Sequence, residues 1–199
     1  MTKATLRHRR TAIVALLALV PLLLYVVLHR PFPSDQIPDG AYMRIARGVG
    51  EDDPRGFFAY LETEAQWACF TVHDMRKKAS KRIAESYPEP RRSEMLEQYK
   101  AAAEAADGGD VFALLYRERG WARRLRKDLS GIARVEIEGD RASVVTMQGT
   151  RYPFRRRENG IWGLTVFTAE LLADAEKATR DLAVVSAAAD DYDRARPKN

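Results

Sequence analysis

Cysteine is nearly absent: Cys69 is the single thiol in 199 residues. One thiol excludes an intrachain disulfide. Of three histidines only His73 lies beyond residue 29, so a zinc site built on Cys or His clusters is excluded too, and no metal or other cofactor is expected. A glycine-rich phosphate loop is missing. Gly108-Gly109 lacks the Lys-Ser/Thr that completes a P-loop, and no G-x-G-x-x-G follows a strand pattern. Internal repeats and low-complexity tracts are absent, and a hydrophobic content of 46% excludes a disordered or collagen-like chain.

Acidic residues are missing from one region only. Five of the 33 basic residues lie in the first 30 positions with no acid among them, so the other 169 residues carry 28 of each sign. The net charge of +5 is therefore local to the N-terminus, and the remainder is neutral. A uniformly basic, nucleic-acid-binding chain does not have this distribution, and no nucleic-acid partner is expected.

Residues 11–28 (TAIVALLALVPLLLYVVL) contain no charge. As a helix they span about 27 Å, close to the ~30 Å of a bilayer core, and His29 and Arg30 can snorkel to extend it. Ile13, Leu17, Val20, Leu24 and Val27 make up its apolar body, and Pro21 is tolerated better in lipid than in water. The run ends Val26-Val27-Leu28-His29-Arg30-Pro31, without the small residues of a cleavage site or a lipobox cysteine, so an uncleaved anchor is expected. Four Lys/Arg precede it by residue 10, and only Arg30 follows before Arg44. The positive-inside rule then assigns residues 1–10 to a cytoplasmic basic tail and puts the C-terminal domain outside the cytoplasm, on a single-pass protein of the plasma (inner) membrane. The lipid bilayer is its first partner.

Residues 29–38 hold Pro31, Pro33 and Pro38 and read as a stiff spacer, and residues 39–195 form one domain. Helical patterns run to about Lys127. The first covers 40–49 with Asp39 as its cap; the second opens at Asp53-Pro54 and passes through Phe57, Phe58 and Leu61. A long helix follows to about Ser86 on the seam Leu61, Ala65, Ala68, Val72, Met75, Ala79. Trp67 and Phe70 occupy its other side, so it is expected at the centre of the domain, apolar nearly all round. Ser93 to Ala106 carries the stripe Leu96, Tyr99, Ala103, Ala106; Gly108-Gly109 is expected to end that helix, with Asp110 capping the next.

From Ile132 the period becomes two, with Ala133, Val135 and Ile137 facing a core. Gly139-Asp140 signals a hairpin, Arg141 to Met147 the return strand, and Thr150 to Arg157 a third. Pro153 lacks an N–H, which predicts an edge or a bulge there. Asn159-Gly160 predicts a type I′ turn into a fourth strand, Ile161 to Phe167. The fold class is α+β: helices packed on a four-stranded antiparallel meander, then a long helix from Ala169 to about Arg194. Its seam Leu171, Ala175, Ala178, Leu182, Val185, Ala189, Tyr192 keeps four-three spacing. The sheet's uncovered face is its expected partner, a second copy of the chain the alternative.

Local patterns carry a resemblance. Pro38-Asp39-Gly40-Ala41 opens the first helix, Asp53-Pro54 with Gly56-Phe57-Phe58 the next, RVEIEGDRASVV forms a strand pair, and PFRRRENGIWGL closes with an aromatic after a tight turn. Residues 38–167 resemble the nuclear-transport-factor-two-like, SnoaL-like domains, cystatin-like α+β cones. The resemblance implies a conical sheet whose interior can hold a small molecule or, in some members, an acid–base site of isomerase or hydratase type. The helical region 93–127 and the helix after the sheet are additions to the minimal pattern.

Chemistry-bearing residues are few. Cys69 and His73 stand at i and i+4 on one helix face, a spacing that suits a thiolate nucleophile as well as a buried structural pair. His73-Asp74, with Tyr60 and Trp67 near, could supply a general base in an apolar pocket. Tyr60, Trp67, Phe70 and Trp162 are the candidate ligand-binding aromatics. Three basic clusters, 76–82 (RKKASKR), 117–127 (RERGWARRLRK) and 151–157 (RYPFRRR), read as solvated, acid-paired faces or as surfaces for lipid headgroups or a partner. The chain is thus expected to be an anchored binding or assembly module without evident catalytic activity, its partner another envelope protein or itself through the C-terminal helix. A small-molecule-binding protein or acid–base enzyme is the alternative. A reporter active only outside the cytoplasm, fused after Asp39, is expected to be active; a silent fusion reverses the orientation.

Overall fold

The computed structural model describes residues 32–196. The basic tail, the anchor with Ile13, Leu17, Val20, Leu24 and Val27, and the first residues of the spacer lie outside that range. Among the described residues no helix is long and apolar enough to cross a membrane.

The fold is α+β. Among the described residues six helices come first: α1 (Pro38–Gly50), α2 (Pro54–Phe57), α3 (Thr63–Ser86), α4 (Arg91–Ala103), α5 (Gly108–Glu118) and α6 (Trp121–Asp128), with a 3-10 turn, Phe58–Tyr60, between α2 and α3. The strands β1 (Ile132–Glu138), β2 (Arg141–Thr146), β3 (Arg151–Arg156) and β4 (Trp162–Leu164) form one antiparallel meander in chain order, and α7 (Thr168–Ala195) closes the chain.

The helix starts follow local chemistry. Asp53 caps α2 by accepting the Gly56 N–H at 2.9 Å, with Pro54 at the first helical position. Asp39 does not cap α1; Pro38 already occupies the first position, and Asp39 sits in the first turn where the helix dipole favours an acid. Gly108-Gly109 opens α5 instead of ending its predecessor, because Asp107, not Asp110, is the cap and accepts the Asp110 N–H at 3.0 Å.

Three sheet details differ from the sequence pattern. A register shift between Ile132 and Arg134 interrupts the alternation of β1, and Ile137, though on the inner side, is 60% exposed near the hairpin end. Pro153 lies in an interior strand: its carbonyl accepts the Thr165 N–H at 3.1 Å, so its missing N–H points past the end of the three-residue β4 and breaks no ladder bond. At Asn159-Gly160 only Gly160 has positive φ (83°), and the Gly160 N–H bonds the Arg157 carbonyl at 2.9 Å. That is a three-residue loop ending in a left-handed glycine, not a type I′ turn.

Helix α1 covers the inner sheet face, where Val144, Tyr152, Phe154, Trp162 and Leu164 are buried. Behind it, Phe57, Phe112, Tyr116, Trp121 and Phe167 pack into an aromatic nucleus, Trp121 stacked on Phe167 at 4.4 Å between ring centres. The long helix α7 does not cover the sheet as expected; it pairs principally with α3. Leu171, Ala175, Ala178, Val185 and Ala189 are buried within this chain, the alanines letting the two helices approach closely. At the far end of the pair, Ala79, Ile83, Tyr87 and Tyr99 join Val185 and Ala189 in a second apolar cluster that includes α4. Arg76 pairs with Asp181 at 2.7 Å, tying the same helices at their edge.

Phe112 is fully buried and touches five other rings, whereas Trp67 is 66% exposed. Phe112→Ala is expected to destabilise the fold by about 3–5 kcal/mol and Trp67→Ala by no more than about 0.5 kcal/mol, read from urea midpoints at an unchanged slope.

Candidate binding groove

Helix α3 has two working faces. One buries Ala65, Ala68, Cys69, Val72, Ala79 and Ile83. On the other, Trp67 and Phe70 remain in solvent, 66% and 41% exposed, which corrects the expectation that the whole helix is central. Helices α7, α4 and α5 pack against α3. Phe70 is nonetheless rooted: its ring lies so close to Gly108 that a Cβ there would stand 2.8 Å away, and Phe58 meets it edge-on at 5.9 Å. Trp67 leans on Phe70 at 6.1 Å between ring centres.

Beside these rings runs a groove of about 570 Å³, bounded by Thr63, Glu64, Gln66, Trp67 and Phe70 on α3 and by Arg156, Arg157, Glu158 and Asn159 at the end of β3 and its loop. Arg157 is held by neutral acceptors: Nη1 donates to the Ala59 carbonyl at 2.7 Å, Nε to Thr63 Oγ1 at 3.3 Å, and Nη2 to Gln66 Oε1 at 3.4 Å. Burial pushes this guanidinium down from its usual value. Neither Arg156 nor Arg157 pairs with an acid among the described residues. Their neighbours do. Arg151 pairs with Glu136, and Arg155 with Glu64 at 3.4 Å and Asp140 at 3.6 Å. In the other clusters Lys78 pairs with Asp74, Arg82 with Asp190 and Asp193, Arg119 with Asp174, and Arg126 with Asp52.

The remaining sequence candidates do not converge. Cys69 is fully buried, and burial, helped by the nearby Asp174 carboxylate, pushes its thiol up to about 12. A thiol held protonated is a packing group, not a nucleophile. No hydrogen bond joins it to His73, whose Nε2 is buried without a partner among the described residues. Asp74 is half-exposed and bonded to Lys78 at 2.6 Å. Tyr60 donates to Asp35 at 3.4 Å, and the Trp162 indole is buried, its N–H donating to the Gln36 carbonyl at 3.1 Å. Of the four candidate aromatics only Trp67 and Phe70 share a surface. Among the described residues no three His, Cys, Asp or Glu side chains gather as a metal site would require.

Sequence reasoning missed two residues. Arg157 was one basic residue in a run of seven, and only its approach to Ala59 separates it from paired neighbours. Glu62 is 4% exposed at the start of α3 and accepts from the Thr168 hydroxyl at the start of α7, joining the two helices. It borders a second, open groove of about 310 Å³ on the outer side of β3, with Arg155 at 3.9 Å. Nothing in the run Leu61-Glu62-Thr63-Glu64 marks Glu62 as the buried acid. No protein-family model, curated protein or solved structure matches the chain.

The ordinary thiol value is 9.0, so an unfolded chain releases the Cys69 proton first and stability falls as pH climbs above 9. From this group the loss by pH 10 is about 1.4 kcal/mol. In urea titrations the stability difference between wild type and Cys69→Ala is expected to shrink from pH 8 to pH 10; a constant difference would show that the fold does not hold the thiol protonated.

Proposed function

We propose that this is a single-pass membrane-anchored protein presenting one α+β domain outside the cytoplasm as a binding module, with no catalytic role of its own. One observation carries the binding part: the interior is filled while two aromatic side chains are left in solvent beside arginines without acid partners. Phe57, Phe112, Tyr116, Phe154 and Phe167 are each less than 2% exposed in the middle of the domain. Trp67 and Phe70 instead line an open groove. Contiguous aromatic surface next to cationic groups suits recognition better than stability.

The anchor part rests on the charge-free run 11–28 and the basic residues before it. Helices ahead of a four-stranded meander support the nuclear-transport-factor-two-like reading of residues 38–167. An acid–base enzyme of that family would need a base facing an interior volume. His73 and Asp74 border neither of the two grooves described above, and aromatic side chains occupy the middle of the domain. The C-terminal seam, the alternative dimer surface, is occupied by α3 of the same chain.

Membranes washed with alkaline carbonate are expected to keep the chain in the pellet, with an N-terminus ahead of residue 11. Release into the supernatant, or a mature chain beginning beyond Arg30, would overturn the anchored reading.

A further inference from the structure

Resting on the anchored reading, the geometry points to a specific occupant for the Trp67–Arg157 groove: the anionic phospholipid headgroups of the bilayer that holds the anchor. The first argument is where the domain's chain begins. The Asp35 carbonyl accepts the Trp162 N–H at 3.2 Å and the Gln36 carbonyl accepts the Trp162 indole N–H. Gln36 also lies against Gly160, whose loop neighbour Asn159 borders the groove. The start of the domain and the groove are therefore two sides of one loop.

Only residues 29–33 separate the apolar run from Ser34. Fully extended, that connection spans at most about 20 Å. The end of the domain that carries the groove is thus confined near the membrane surface at high effective concentration, and weak contacts suffice to dock it.

The second argument is chemical. Trp67 and Phe70 stand one helical turn apart and present an apolar body with one N–H at the tip, the side-chain type favoured at the headgroup level of a bilayer. Arg156 is exposed at the end of β3, its guanidinium open to phosphate oxygens, and half-buried Arg157 beside it is held by three neutral acceptors that leave its charge uncompensated. Of the acids at the groove, Glu64 is taken by Arg155, and Glu158 stands exposed at the rim. Two arginines without an acid partner, facing Glu158 as the one acid of the groove without an ion pair, set this end apart from the paired clusters elsewhere among the described residues.

The three tryptophans make the test direct. Trp121 and Trp162 are 3% and 4% exposed, so quenching by acrylamide, an uncharged quencher, reports Trp67. The full chain is placed one copy per lipid nanodisc, in phosphatidylcholine alone or with phosphatidylglycerol mixed in. Shielding of Trp67 in the phosphatidylglycerol discs, and its loss in Arg156→Glu, are the expected results. Reversing that charge is expected to lower the docked-to-free ratio about thirtyfold. Equal exposure in both lipids, with the chain still resistant to carbonate, would overturn the headgroup assignment and leave the anchor standing. Shielding that is the same in both lipids and survives Arg156→Glu would overturn it as a non-electrostatic contact, and shielding only with two copies per disc would do so in favour of a second chain. Carbonate release would take the anchor and this inference down together.

Discussion

The close pairing of α3 with α7 is the constraint on which the domain's other features depend. Both helices offer small residues at the contact, Ala65, Ala68, Cys69 and Ala79 on one, Ala175, Ala178 and Ala189 on the other. Small side chains bring helix axes close and leave little space for water or for a polar group. Cys69 is buried among them, which is why its thiol is held protonated. Glu62, bonded by the Thr168 hydroxyl, fixes how far one helix starts from the other. With α7 committed to α3, the sheet is covered by α1, and the aromatic nucleus of α2, α5 and α6 fills the space between.

Commitment on one side leaves the other side of α3 free. The same helix that buries Ala68 and Cys69 must turn Trp67 and Phe70 outward, because residues one or two positions apart on a helix cannot share a face. Phe70 is then braced by Phe58 and Gly108, so its ring is positioned rather than merely exposed. The end of β3 brings Arg156 and Arg157 to it. Their isolation from acids is a consequence of register: Arg151 faces Glu136 and Arg155 reaches Glu64 and Asp140, while the two residues at the strand's end pass beyond those partners. Elsewhere most charges cancel across short distances, as between Arg82 and the pair Asp190 and Asp193.

Much of the fold was legible in the sequence. The Asp53-Pro54 helix start, the long helix ending at Ser86, the four strands and the 28-residue closing helix follow from capping chemistry and periodicity, which act within a few residues. The errors share one origin. The Gly108-Gly109 start, the loop at Gly160 and the harmless Pro153 each depend on which backbone group a neighbouring segment offers. Of the candidate site, Trp67 and Phe70 were named as ligand-binding aromatics but also placed in the domain centre, and an apolar helix face looks alike whether it meets a core or water.

The sequence by itself determined the charge-free run 11–28, the neutrality of residues 31–199, and the α+β class, because these are sums and periods along the chain. Only the tertiary structure decided which face of α3 is buried, that α7 seals against α3 and not the sheet, and which two arginines of seven residues are left without acids. Those outcomes depend on competition between distant segments for the same surface, and pairing distances across β2, β3 and α3 are not written in the spacing of any one of them.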